Sequence, residues 1–175
     1  MSAPAQVLLI DGDPGFSAML ERVLHAWVGS ELETLRLQNP AELEMLTAEQ
    51  LARIDLVFAE VAFPAANLAP RDSIARLAAL SRDIVATSGG QSAPPPWIVL
   101  TEERDRSLEL HSLRAGAAEF FQKDTLQLSL LELRVRRALE LAAPTRANSQ
   151  TETAIVDSLM ELAGDIEASL EVVGT

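Results

Sequence analysis

Four apolar runs in this sequence each end at a polar residue whose side chain could do chemistry. The polar residues are Asp11, Glu60, Thr101 and Lys123. Carboxylates can hold a metal ion, and a carboxylate removed from water needs a cationic partner such as an ammonium group. Two acids, a hydroxyl and an amine in one pocket would therefore form either a cation site or an internal ion pair, if the fold brings them together.

The elements before these residues have the pattern of a parallel sheet. The runs at 7–10, 55–59, 97–100 and 119–122 are rich in Val, Ile, Leu and Phe and do not alternate between apolar and polar residues, which is typical of strands buried on both faces. Residues 33–38 provide a short second strand. Helical periodicity lies between the strands, at 16–28, 40–52, 70–85, 104–115 and 126–141.

This alternation predicts a doubly wound α/β sheet with right-handed crossovers. In such a sheet, ligands bind beyond the carboxyl ends of the strands, so we expect the four polar residues to converge there. Local signals fix several helix ends. They are Pro14 in the first turn of the first helix, Pro40 at the start of the second, Gly116 after the fourth, and Asp124 or Thr125 as N-cap of the fifth.

The chain divides into one domain and an extension. We predict a domain over residues 1–142, a polar linker at 143–150 and an amphipathic helix at 151–175. The helix has an apolar stripe that must pack on the main domain, a partner helix or a further domain; its members are Ile155, Leu159, Leu162, Ile166 and Leu170. The last residues, 172–175, could begin a connection to such a domain.

Composition excludes several classes of function. A net charge of -12 argues against direct binding of nucleic acid, which needs clustered Lys and Arg. The absence of cysteine excludes disulfides and thiolate metal sites. No signal peptide and no stretch long enough to cross a membrane is evident, so we expect a cytoplasmic protein. His25 and His111 have no ligand-like spacing.

Four segments in order, 7–14, 55–64, 98–101 and 113–123, resemble the receiver domain of two-component response regulators. The resemblance implies a flavodoxin-like five-stranded parallel sheet of order 2-1-3-4-5, here with a C-terminal helical extension. It also implies roles for single positions. In receivers, two adjacent acids and the phosphoacceptor aspartate hold Mg²⁺ together with a backbone carbonyl, while a hydroxyl and a lysine bind the phosphoryl group.

The receiver positions are filled unevenly in this sequence. Asp11 fills the first acidic position, but Gly12 fills the second, and Glu60 stands at the phosphoacceptor position. Four positions follow the receiver pattern: Ala62 stands at the carbonyl position, Thr101 at the hydroxyl, Lys123 at the lysine and Phe120 at the aromatic switch. Two depart from it: Glu102 stands where a small residue is usual, and Asp124 where proline is usual.

These departures predict a degenerate receiver, or pseudo-receiver, that is not phosphorylated and is not an enzyme. Gly12 removes one charged ligand from a cation that demands near-octahedral oxygen coordination. Asp13 lies one residue further along the turn, so its side chain should point elsewhere. Glu102 adds bulk and repels anionic phosphodonors. We expect no resident cofactor, and at most weak Mg²⁺ binding through Asp11 and Glu60.

Several alternatives stay open. Glu60 either imitates a phosphorylated aspartate or is a passive replacement, and in both cases we expect it to contact Lys123. Asp11 and Asp13 form either a weak metal site or a solvated acidic turn, and Thr101 is either a functional hydroxyl or a strand-end hydrogen-bonding residue. The chain could also be a phosphorylatable regulator with unusual Mg²⁺ ligands.

An enzyme or nucleotide-binding protein on the same sheet is disfavoured, because no glycine-rich phosphate loop follows the first strand. The resemblance instead implies a signalling module that acts through protein contacts. Its contact surface would be the fourth helix, fifth strand and fifth helix, with Arg134, Arg136 and Arg137 pairing across a two-fold axis. We expect a homodimer, with the last helix extending the dimer or connecting to an output domain or protein partner.

Overall fold

The computed structural model describes residues 4–62, 69–87 and 94–142. Five strands alternate with helices in these ranges. The strands are β1 (Ala5–Ile10), β2 (Leu32–Leu37), β3 (Ile54–Glu60), β4 (Trp97–Thr101) and β5 (Glu119–Gln122). The helices are α1 (Pro14–Val28), α2 (Pro40–Glu44), α3 (Ala48–Ala52), α4 (Pro70–Thr87), α5 (Arg106–Arg114) and α6, which is helical over 128–142.

The strands form one parallel sheet of order β2-β1-β3-β4-β5, as the resemblance to receivers implies. Helices cover both faces, and this explains why the central strands are mostly apolar without alternation. One face packs on α1 and α6 through residues such as Leu24 and Val135. The other packs on α4 and α5 through residues such as Ile74 and Leu108, with parts of α2 and α3 at its margin.

The turn between β1 and α1 is held by an N-cap. The Asp13 side chain accepts hydrogen bonds from the backbone N–H groups of Gly15 (2.8 Å) and Phe16 (3.1 Å). Pro14 then occupies the first helical position, where its missing N–H costs nothing. Because α1 begins immediately after the sheet edge, its first turn lies beside the carboxyl end of β1.

The prediction of a single helix over 40–52 is wrong, because two short helices, α2 and α3, occupy this stretch. Asn39 caps the first of them. Thr47 begins the second with a capping box, in which its side chain accepts from the N–H of Gln50 and the Gln50 side chain accepts from the N–H of Thr47. A second cap inside the apolar pattern therefore restarts the helix.

The connections around β5 show one correct and one wrong prediction. Gly116 lies just after the end of α5, as expected, and its φ of 101° is a value that favours glycine. Asp124 and Thr125 do not cap α6, because Lys123–Thr125 form a 3₁₀ turn and the helix begins only at residue 128. The side chain of Asp124 pairs instead with Arg104.

The predicted linker at 143–150 and the helix at 151–175 lie outside the described residues, as do positions 63 and 64 of the receiver-like segment. Among the residues that are described, no helix has the length and apolar character needed to cross a membrane.

Candidate functional site

Three of the four converging residues meet at the carboxyl ends of β1, β3 and β5. The Nζ of Lys123 lies 2.9 Å from Oδ1 and 2.8 Å from Oδ2 of Asp11. The same Nζ lies 3.1 Å from Oε2 of Glu60, so the expected contact between these two residues is present. We call this group, Asp11, Glu60 and Lys123, the ion triad. Its lysine and aspartate side chains are 6% and 4% exposed, and the glutamate is 14% exposed.

The cation of the ion triad is the only lysine in the sequence, because the other 13 basic residues are arginines. An ammonium is a compact point charge with three donors, so it fits between two carboxylates more readily than a planar guanidinium. The Phe16 ring, in the first turn of α1, lies beneath Nζ at 4.7 Å from its centroid. This cation–π contact closes the side of the triad that faces α1.

The two carboxylates share a single positive charge, and the pKa of Glu60 responds to this. The pKa of Glu60 is raised from 4.5 to about 7, and burial is the largest cause. The hydrogen bond and negative charge of Asp11 also raise it, whereas the charge and hydrogen bond of Lys123 lower it. Burial would lower the pKa of Lys123, but the hydrogen bonds and charges of Asp11 and Glu60 outweigh it, and its pKa is raised above the ordinary value. Glu60 is therefore the member of the triad that changes charge near neutral pH.

Thr101 lies at the same end of the sheet but has a local role. It is buried at the end of β4, and its Oγ accepts a hydrogen bond of 3.0 Å from the backbone N–H of Glu103. This hydrogen bond stabilises the turn between β4 and α5, in agreement with a strand-end role. Glu102 is exposed beside it.

The acidic turn after β1 does not fit a Mg²⁺ ion. The carboxylate of Asp11 is occupied by Lys123 and by the N–H of Asp13 at 2.9 Å, and the carboxylate of Asp13 is occupied as the N-cap of α1. Gly12 offers no side-chain oxygen. In the described part of the chain, no group of three His, Asp or Glu side chains is placed to hold a metal ion.

Gly12 nevertheless has room for a side chain. A Cβ at this position would meet only the backbone carbonyl of Gln38, at 4.0 Å. Its φ lies outside the left-handed region, in contrast to Gly29 and Gly116. The backbone therefore does not require glycine here, and the missing acid is a property of the sequence rather than of the turn.

Two further contacts surround the site. Arg104, after β4, forms an ion pair with Asp124, after β5, and so joins the two loops next to the triad. Ala62 is exposed at the end of a described range, and Phe120, at the switch position, is half-buried against the core that includes α4 and α5. Sequence reasoning missed the roles of Phe16 and Arg104. Phe16 had one usable signal, its place in the first helical turn after Pro14.

Comparisons with known proteins agree on the fold. No protein-family model and no curated protein matches the sequence. Among solved structures, the chain is similar to a signal receiver domain of a histidine kinase from Clostridium thermocellum, with 18% identity, a TM-score of 0.60 and coverage of 77% of this chain and 97% of that one.

Two further structures give the same result. A receiver domain of a DNA-binding response regulator from Colwellia psychrerythraea is 19% identical, with a TM-score of 0.61 and coverage of 78% of this chain and 98% of that one. A response regulator receiver protein from Pseudoalteromonas atlantica is 14% identical, with a TM-score of 0.59 and the same coverage. At such identities the likeness is one of fold. Together with the parallel sheet of order 2-1-3-4-5, it shows that this chain has the receiver-domain fold.

Proposed function

We propose that this chain is a receiver-fold signalling module that operates without the aspartyl-phosphate cycle. The observation that carries the proposal is the ion triad, in which Lys123 is buried between Asp11 and Glu60. In this arrangement the site's own ammonium pairs with both acids of the pocket. In such a module the lysine of the pocket is paired with the chain's own carboxylates instead of with a phosphoryl group.

The chemistry of phosphoryl transfer supports this proposal. Transfer depends on an in-line nucleophile and on cations that neutralise the charge of the transferred group. Below a pH of about 7 Glu60 is mostly protonated, because burial and the hydrogen bond and negative charge of Asp11 raise its pKa to about 7, and a protonated carboxyl is a poor nucleophile. The residues around it also supply too few free oxygen ligands for Mg²⁺.

Output would occur through protein contacts at the surface formed by α5, β5 and α6. On α5, Leu110 and Leu113 are exposed apolar side chains of the kind found at such surfaces. Arg134 of α6 pairs with Glu119 of β5 at 3.0 Å within the chain, and so joins two elements of the surface. We propose that the partners are proteins, a second copy of this chain among them, and that the module acts in the cytoplasm.

A labelling experiment tests the lack of phosphorylation. The chain is incubated with Mg²⁺ and acetyl phosphate, or with Mg²⁺ and beryllofluoride, and analysed by intact mass and by NMR. We expect no modification and no Mg²⁺-dependent shift of the pocket resonances. Stoichiometric labelling at Glu60, or tight Mg²⁺-dependent binding, would instead make the chain a phosphorylatable regulator with unusual ligands.

A restored variant provides the matched positive control. The double substitution Gly12→Asp and Glu60→Asp returns both aspartates, and the open space beside Gly12 allows the first of them. We expect this variant to gain Mg²⁺-dependent beryllofluoride binding that the wild-type chain lacks. The single Gly12→Asp variant separates the missing ligand from the missing acceptor.

A further inference from the structure

One side of α6 presents leucines to solvent. Leu130, Leu133 and Leu141 are 38%, 61% and 70% exposed. With Arg137 they recur at spacings of three, four and four residues, so the four share one side of the helix. The opposite side packs in the hydrophobic core through Leu131, Val135, Ala138 and Leu139. We call the outward set, Leu130, Leu133, Arg137 and Leu141, the leucine face.

The chain itself contains a segment of matching chemistry. Residues 151–175 carry six acidic residues and no lysine or arginine. The apolar residues of the segment recur at spacings of four, three, four and four, close to those of the leucine face; they are Ile155, Leu159, Leu162, Ile166 and Leu170. An acidic amphipathic segment is complementary to a leucine-lined surface that carries Arg137 at its centre and Arg134 beside it.

We propose that the acidic segment 151–175 docks in the same chain, antiparallel to α6, on the leucine face. The eight residues at 143–150 suit this arrangement, because helix–helix connections in bundles are about 2–8 residues long. Such a tether also places the segment at an effective concentration of roughly millimolar beside α6, which favours docking within one chain over docking between chains. In an antiparallel return, Leu162 lies opposite Leu130, since both are sixteen residues from Arg146.

Docking of this kind would cover part of the surface proposed for protein contacts with the chain's own segment. A partner would have to displace the segment or bind the remainder of the surface, at α5 and β5. The proposal does not depend on whether the pocket is phosphorylated, because it rests on the leucine face and the segment alone. Its failure would therefore leave the labelling result above unaffected.

Disulfide trapping in the full chain tests the proposal, and the absence of native cysteine makes each introduced pair unique. The test variant carries Leu130→Cys and Leu162→Cys. The control carries Arg136→Cys and Leu162→Cys, in which the first cysteine is on the same helix, exposed, but away from the leucine face. We expect the test pair to form an intrachain disulfide several-fold faster than the control pair. Thermal melting of the reduced variants checks that both are folded.

Other outcomes would overturn the proposal. Equal rates for the two pairs would mean that the segment is tethered without docking. Disulfides formed mainly between chains would mean that a second copy is the occupant. Adding Arg137→Glu to the test variant examines the charge complementarity, with Arg22→Glu on α1 as the control. A several-fold slower reaction with the first and not the second supports the proposal, and no slowing overturns the role of charge.

Discussion

At the scale of single residues, the charge balance of the pocket explains its behaviour. Asp11 and Glu60 share one ammonium, so the ion triad carries an excess negative charge whenever both acids are ionised. A buried excess charge is unfavourable, and Glu60, which has one oxygen close to Lys123 where Asp11 has two, is the acid whose pKa is raised. Lys123 is the member whose loss leaves both carboxylates without a cationic partner.

Replacing Lys123 by alanine should therefore destabilise the fold substantially. We expect Lys123→Ala to lower the free energy of unfolding by about 3 kcal/mol, because it leaves buried carboxylates unpaired. Urea denaturation measures the change. Arg53→Ala is the control, since Arg53 and Glu33 form an exposed ion pair, and pairs of this kind contribute about 0–1 kcal/mol. Equal losses for the two variants would show that the ion triad has no special role in stability.

The pKa of Glu60 gives a second prediction at this scale. The folded chain holds a proton on Glu60 up to a pH of about 7, whereas the unfolded carboxyl releases it near 4.5. The stability that this proton contributes is complete below 4.5 and is lost as the pH rises through about 7. Relative to Glu60→Gln, the wild-type chain should lose on the order of 2 kcal/mol of unfolding free energy across this window.

Urea denaturation at several pH values on either side of the window measures this difference. Glu49→Gln on α3 is the control, because it makes the same substitution at an exposed glutamate outside the ion triad. Since Lys123 is the only lysine, a lysine-specific isotope label also gives one side-chain signal in the pocket. A pH-independent difference between wild type and Glu60→Gln, with no shift of that signal, would contradict the raised pKa.

At the scale of elements, Asp13 shows how a residue with metal-ligand chemistry serves a structural purpose. Its carboxylate accepts two backbone N–H groups at the start of α1, and α1 in turn places Phe16 against Lys123. We expect Asp13→Ala to lower the free energy of unfolding by about 1 kcal/mol, as for other N-caps. Thermal or urea denaturation measures it.

Asp13→Asn is the matched control for the cap. The amide oxygen of asparagine still accepts these hydrogen bonds, so this variant should lose only a few tenths of a kcal/mol. If Mg²⁺ stabilised the wild-type chain and this stabilisation disappeared in both variants, Asp13 would be a metal ligand and the cap a secondary role.

The strands and longer helices could be predicted from sequence, whereas details of their ends could not. The strands are rich in apolar residues that do not alternate with polar ones, so their positions and parallel arrangement follow from pattern. The order of the sheet is what the resemblance to receivers implies. The division of 40–52 into α2 and α3 depends on the capping box of Thr47 and Gln50, a local signal within a continuous apolar pattern. The ion pair of Asp124 with Arg104 joins residues distant in sequence, and no local pattern indicates it.

The same reasoning applies to the candidate site. Strand-end positions place Asp11, Glu60 and Lys123 together, because carboxyl ends of parallel strands share one edge. Thr101 shares that edge, but its hydroxyl turns to the N–H of Glu103, a choice that depends on the conformation of the following loop. The pKa of Glu60 depends on how far its carboxyl is buried and how closely Asp11 approaches it, and a strand-end position gives neither of these quantities.

At the scale of the whole molecule, charge is distributed unevenly. The segment 151–175 contributes half of the net charge of -12, and it follows α6, on which arginine and leucine side chains are exposed. If the segment covers the leucine face, it restrains self-association through the surface of α5, β5 and α6. Releasing the segment should then increase the mass of the protein in solution.

We expect Leu162→Arg, which places a charge in the apolar stripe of the segment, to self-associate at lower protein concentration than the wild-type chain. Light scattering over a dilution series measures the mass. Ala168→Arg is the matched control, because it adds the same charge on the opposite side of the predicted helix. A wild-type dimer converted to a monomer by Leu162→Arg would reverse the interpretation, since the segment would then assemble the dimer instead of restraining it.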